Sequence, residues 1–322
     1  MYEDNAKRSK LQATFTDYHE YLLSLEMKGA IDGFEPIYLA RIAQLTNKSN
    51  QFNLTTKRYT QNEITEFMEN PNYITLYGKL EDKFGDNGIV SLAIGILCDQ
   101  GSLRTSDKLI DLFPDRVNAV SRLRMSSLTV EHLLTMRSGI IFNELESQTD
   151  EDWIKCFLNS ALNGEIGTQF QYNSLNTYLL SAIVVRKSGM SLSAFLQTYL
   201  FDALGIRDFY WECCPHGIEI GGWGLYLRPE DLAKIGLLLL NDGVWDQKQL
   251  ISKAYLSRML TPIVKTPPST GRYDYGYQIW VDTEPRAFLC NGLFGQNVLA
   301  FPDTDLLMVS TASNDELFQQ GP

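Results

Sequence analysis

The strongest hydrophobic signal in the chain is the run 90–98, VSLAIGILC, where apolar residues occupy every side. A stretch apolar all round predicts a helix buried on every face, and Gly101 just beyond it is placed to end that helix. Nearer the N-terminus the pattern is amphipathic. Phe15, Tyr18, Leu22 and Leu25 recur at helical spacing among charged residues, and Pro36 opens a second such stretch through Ile42 and Leu45, so residues 1 to about 70 read as helical. The period then changes. Tyr73, Thr75 and Tyr77 alternate with Ile74 and Leu76 as in a strand, and Gly85, Asp86, Asn87 and Gly88 supply a turn expected to close a hairpin.

Helical patterning returns at 129–137, where Thr129 can cap the start, at 174–187, and at 231–240, with Pro229 in the first turn and Gly243 just past the end. The last part turns to strands at 275–281, 286–290, 297–301 and 306–311, the final two joined by Pro302, Asp303, Thr304 and Asp305. Sequential strands with short turns predict an antiparallel meander. Helices in the middle and strands at the end make the fold class α+β, in which an antiparallel sheet is flanked by helices beside a helical subdomain, and part of the sheet must come from earlier in the chain. The strand at 73–83 is expected to join it.

Composition narrows the function classes. The net charge is −11 with both signs mixed along 322 residues, so no basic stripe exists for a phosphate backbone and nucleic acid is excluded as a partner. The longest apolar runs, 90–98 and 235–240, fall well short of the roughly 20 residues that span a bilayer, and the polar N-terminus has no secretory pattern; a soluble, cytoplasmic protein without membrane association is expected. The five cysteines are odd in number and irregularly spaced, which suits buried thiols, and the adjacent Cys213 and Cys214 lack metal-ligand spacing. His19, His132 and His216 are scattered, so neither a metal nor a cofactor is expected.

Several segments carry a family resemblance. SLAIGILCDQGSL at 91–103, LTVEHLLTMRSG at 128–139, FQYNSLNTYLLSAI at 170–183, GGWGLYLRPEDLAKIG at 221–236, YDYGYQIW at 273–280 and NGLFGQNVLAFP at 291–302 together resemble the serine β-lactamase and penicillin-binding-protein-like hydrolases, the class C-related branch, in that family's order. The resemblance implies three motifs. A Ser and a Lys one turn apart on a buried helix form the nucleophile, because the amine takes the hydroxyl proton. A Tyr with a polar residue two positions later relays protons. A strand with a basic residue, a small polar residue and Gly holds the substrate's carboxylate and oxyanion.

Of these, the second motif falls on Tyr172, as general base or acid, and Ser174; without the resemblance, the same residues read as a structural tyrosine in a turn with Ser174 as an N-cap. The third falls on Cys290, Asn291 and Gly292, with Phe294, Gly295 and Gln296 following and Trp223 as a further lining residue. Its bland counterpart is a strand end with glycines in a tight turn. Cys290 stands where the basic residue is usual, so a carboxylate-bearing β-lactam would lose a partner. Counting back from Ala93, Ile94 and Gly95, the serine position is Phe84 and the lysine position Asn87; a phenyl ring has no nucleophilic atom and an amide takes no proton at neutral pH.

Upstream, RIAQLTNKSNQFNLTTKRYT at 41–60 and LEDKFGDNGIVS at 80–91 resemble the region that follows the phosphatase-like domain in FkbH-type proteins, which load glyceryl units onto acyl carrier proteins. The chain therefore divides, by resemblance, into an FkbH-like fragment at 1–90, helical and then a β-hairpin, and a hydrolase body at 91–322 lacking its N-terminal strands and Ser-x-x-Lys segment, as in a fusion. The implied function is a β-lactamase-related hydrolase of amides, esters or β-lactams, inactive or severely impaired. The alternatives are a non-catalytic binding protein for a small ligand of that kind and an interaction protein for acyl carrier proteins.

Overall fold

A computed structural model describes residues 28–33, 60–70, 76–81, 88–140, 152–268, 272–292 and 295–311. The chain separates into two compact units, one of residues 8–83 and one holding residues 84–322 together with the first seven.

In the smaller unit, strand β1 (Lys28–Gly33) pairs antiparallel with β2 (Leu76–Glu81), from Lys28 opposite Glu81 to Gly33 opposite Leu76, and helix α1 (Gln61–Glu69) lies between them in sequence. Thr60 and Glu63 close a reciprocal capping box at the start of α1, with Glu63 Oε2 accepting from Thr60 N at 2.7 Å. Two expectations are corrected here. Residues 28–33 form a strand within a stretch read as helical, and β2 pairs with β1 and not, among the described residues, with the main sheet; of the turn expected at 85–88, only Gly88 lies within the described residues. The partner of β2 lies more than forty residues earlier, a non-local pairing that strand periodicity cannot reveal. The amphipathic stretches at 15–25 and 36–45 lie outside the described residues.

The larger unit is built round the helix expected at 90–98. Helix α2 (Ile89–Asp99) is buried from Ile89 through Leu97. It opens at Gly88, which takes a left-handed φ of +65°, so the glycine begins a helix where a hairpin turn was expected. Helices α5 (Ser174–Ser188) and α7 (Lys253–Met259) pack on α2, α3 (Val130–Leu134) and α4 (Trp153–Asn159) pack in turn on α5, and α6 (Pro229–Leu240) belongs to the same hydrophobic core. Contact between α2 and α7 requires glycine: a Cβ on Gly95 would lie 2.6 Å from Tyr255 Cδ1, and the Tyr255 hydroxyl donates to the Ser91 carbonyl at 2.9 Å.

The sheet is a five-stranded antiparallel meander of β3 (Asp274–Tyr275), β4 (Trp280–Thr283), β5 (Arg286–Gly292), β6 (Gln296–Phe301) and β7 (Leu306–Ser310), in the order β7-β6-β5-β4-β3. The β6–β7 connection is the expected Pro302–Asp305 turn, with Asp305 left-handed. Helix α6 covers one face, where a Cβ on Gly236 would meet Leu307 and Val298. Among the described residues the sheet ends at β7, which shows Leu306 and Met308 to solvent.

The single strand expected at 275–281 is broken in two. Gly276 to Ile279 form a tight turn, with the Gly276 N–H donating to the Ile279 carbonyl at 2.8 Å, and Tyr275 then pairs with Trp280. The alternation of Tyr275, Tyr277 and Ile279 imitates a strand, but Gly276 sits so close to the Met259 carbonyl that no side chain fits there, and Gln278 has φ +58°. Among the described residues no single helix is long and apolar enough to cross a membrane.

Candidate functional site

Tyr172, Asn173 and Ser174 sit where an extended segment enters α5. The Gln171 N–H donates to the Met136 carbonyl at 2.8 Å, which lays the segment alongside the chain leaving α3. The N-cap of α5 is Asn173: its Oδ1 accepts from Leu175 N at 2.9 Å, and its amide donates to the Ile140 carbonyl at 3.3 Å. Ser174, expected as a cap in the bland reading, is instead the first helical residue, because the longer amide reaches both the helix end and Ile140. Gly222 fits against this corner, since a Cβ there would lie 2.5 Å from the Ser174 carbonyl oxygen.

Tyr172 faces the sheet. Its ring stacks on Trp280 of β4, centroids 6.1 Å apart and planes 12° from parallel, and meets Tyr275 edge-on at 6.4 Å. Phe170 joins the same group, 5.1 Å from Tyr275 and 5.7 Å from Trp280. Phe170, Tyr275 and Trp280 were not singled out from the sequence. The available signal was Phe170 two residues before Tyr172 in an extended segment, which puts both rings on one side, together with the aromatic density of YDYGYQIW.

Next to this group, β5 carries Cys290, Asn291 and Gly292. Trp280 is the cross-strand partner of Leu289, so the aromatic group and the Cys290–Gly292 segment occupy neighbouring strands. Gly292 pairs with Gln296 so closely that a Cβ would lie 2.8 Å from the Gln296 Cβ; Gly295 is left-handed, and its carbonyl accepts from Ser310 Oγ at 2.8 Å. Cys290 is buried. A Cβ on Gly88 would lie 3.7 Å from its Sγ and 3.0 Å from the Gln278 carbonyl oxygen, so the start of α2 abuts β5 and the β3–β4 turn.

Beneath the site, Gln278 is a buried polar tie that the sequence did not disclose. Its Oε1 accepts from Thr177 Oγ1 on α5 at 2.5 Å, its Nε2 donates to the carbonyls of Leu133 and Leu134 on α3 at 3.0 and 3.3 Å, and its backbone N–H donates to Leu134 at 2.9 Å. One side chain thus joins α5, α3 and the β3–β4 turn. The neighbouring Tyr277 hydroxyl is pushed up, chiefly by burial, against the lowering effect of Arg258.

Other singled-out residues fall differently. Trp223 lies in the core, stacked on Trp153 at 6.1 Å, with its carbonyl accepting from Trp211 Nε1 at 3.0 Å, and is not drawn into the Tyr172 group. Phe84, Asn87 and Phe294 lie outside the described residues. All five cysteines are free, and burial, ahead of Asp99 and Asp107, pushes the Cys98 thiol up to about 11. Among the described residues no cluster of three or more metal-binding side chains occurs.

A family model described as Beta-lactamase matches residues 88–318. The 6-aminohexanoate-dimer hydrolase of Paenarthrobacter ureafaciens is 25% identical over 248 residues, which cover 68% of this chain and 62% of that protein, so the chain spans about three fifths of the curated relative's length. Among solved structures, a candidate 6-aminohexanoate-dimer hydrolase from Bacillus anthracis superposes with a TM-score of 0.63 at 17% identity, covering 76% of this chain and 73% of that one. A penicillin-binding protein homologue from Caulobacter crescentus superposes at 0.59 and 16% identity over 88% and 95% of the two chains. These likenesses establish the fold of the larger unit as the mixed α+β, β-lactamase/transpeptidase type.

Proposed function

The chain belongs to the β-lactamase family, and on that premise we propose that it keeps the cleft of an amide, ester or β-lactam hydrolase while acylating substrate poorly or not at all. The observation that carries the reading is the start of α2 at Gly88. Helix α2 begins there against Cys290 and Gln278, and the positions just before it that resemblance assigns to serine and lysine hold Phe84 and Asn87. Neither side chain can attack a carbonyl or take the proton of a hydroxyl. Tyr172 and Ser174 would remain as the proton-relay pair, and Asn291, Gly292, Gly295 and Gln296 as the substrate-side strand and turn.

Incubation with a chromogenic cephalosporin, p-nitrophenyl acetate and a linear amide tests this. The amide is included because the relative from Paenarthrobacter ureafaciens is named for hydrolysis of a 6-aminohexanoate dimer. Losing a triad-type nucleophile costs about a million-fold in rate, so turnover is expected near the blank. Turnover far above the blank that disappears in Tyr172→Phe, or a serine acylated by penicillin, would refute the loss of acylation.

The survival of the cleft motifs favours, as a second reading, a non-catalytic binding protein for a small amide-like ligand. A panel of β-lactams, D-amino-acid peptides and short amides that shifts the unfolding temperature without turnover supports it. For the smaller unit, which is compact by itself, the resemblance of residues 41–60 to FkbH-type proteins supports acyl carrier protein as a partner. A pull-down with purified carrier proteins that recovers nothing removes that reading.

A further inference from the structure

We propose that Phe170, Tyr172 and Trp280, gathered round Tyr275, form a wall that selects an uncharged aromatic substituent on the ligand, with Trp280 setting the preference; this rests on the site reading above. Tyr275 is buried and touches all three of the other rings, at 5.1 Å from Phe170, 6.4 Å from Tyr172 and 4.9 Å from Trp280, whereas those three are each only partly buried. The buried ring fixes the partly exposed ones, so a flat ligand meets a surface that is already ordered and little rotamer freedom is lost on binding. Tyr172 belongs both to this wall and to the proton-relay pair, which puts the wall beside the reacting position.

Charge points the same way. Cys290 occupies the strand position where the family's basic residue would face a carboxylate. Arg272, which reaches β4, is engaged by Asp282 at 2.6 Å. With Cys290 uncharged and Arg272 already paired, a ligand carboxylate brought against the aromatic wall would lose hydration and find neither of these as a free partner, whereas a neutral amide loses far less. An added aromatic pair strengthens binding by up to about ten-fold.

The test uses the full chain and three probes: 4-phenylbutyramide, 4-phenylbutyrate and hexanamide. Binding is followed through the indole N–H signals of the five tryptophans, with Trp280 assigned from Trp280→Phe. The phenyl amide is expected to bind about ten-fold more tightly than either other probe and to move the Trp280 signal. Trp280→Ala should lose that advantage, and Trp280→Phe should keep most of it. If the phenyl carboxylate binds equally well, or if Trp280→Ala leaves amide affinity unchanged while Asn291→Ala weakens it, the wall is overturned and the site reading stands. If no probe binds, both fall. Should Trp280→Ala fail to fold, a Trp280 signal unmoved at saturating amide overturns the wall by itself.

Discussion

Truncating Gln278 to alanine tests whether the site is held together from below. The side chain makes three hydrogen bonds, to Thr177 Oγ1, Leu133 O and Leu134 O, in a fully packed setting. The two carbonyls are not orphaned by the change: Leu133 O keeps the Met136 N–H at 3.2 Å, and Leu134 O keeps the Gln278 backbone N–H at 2.9 Å. The cost is therefore the net worth of three bonds, about 1 kcal/mol each, with the Thr177 hydroxyl adding at most about 1–3 kcal/mol if it finds no new acceptor. Alanine at φ +58° is about as strained as glutamine, so that contribution cancels. The expected destabilisation is about 3–6 kcal/mol, read by urea unfolding with tryptophan fluorescence. The specific claim is the tie between α5 and the β3–β4 turn. A double-mutant cycle with Thr177→Val should give a coupling of about 1 kcal/mol or more. A loss under about 1 kcal/mol for Gln278→Ala, or no coupling, would show that the three elements are held by packing alone.

Two further outcomes follow from the same structure and a third from the resemblance. Gly95→Ala should cost about 3 kcal/mol in thermal or urea unfolding, because the new methyl meets a Tyr255 ring that its hydroxyl anchors to Ser91, leaving the ring no room to swing. His132 is held below its ordinary value, first by burial and then by Arg137. The unfolded chain therefore takes up that proton first, and stability should be full above about pH 7 and fall as the pH drops past about 6.5. His132→Gln should remove that slope in unfolding curves taken from pH 7 to 5. Finally, Phe84→Ser with Asn87→Lys should raise p-nitrophenyl acetate hydrolysis by at least about 100-fold, part of the roughly million-fold that a lost nucleophile costs, and either single change should do little.

Much of the larger unit was legible in the sequence because its elements are short-range patterns. The all-apolar helix α2 and the proline-opened α6 each declare themselves within a dozen residues, the β5–β6–β7 meander runs through consecutive strands joined by short turns, and the segments around Tyr172 and Cys290 that resemble the family's motifs are contiguous words. What escaped was decided by partners distant in sequence. The pairing of β2 with β1 depends on a segment that looks helical by itself. The break in the 275–281 strand depends on the Met259 carbonyl filling the space a side chain would need at Gly276. The aromatic group depends on Tyr275 being folded against an extended segment about a hundred residues earlier, and the Gln278 tie on three elements converging on one amide. Local periodicity reports which face of an element wants to leave water; only the packed chain decides which other face receives it.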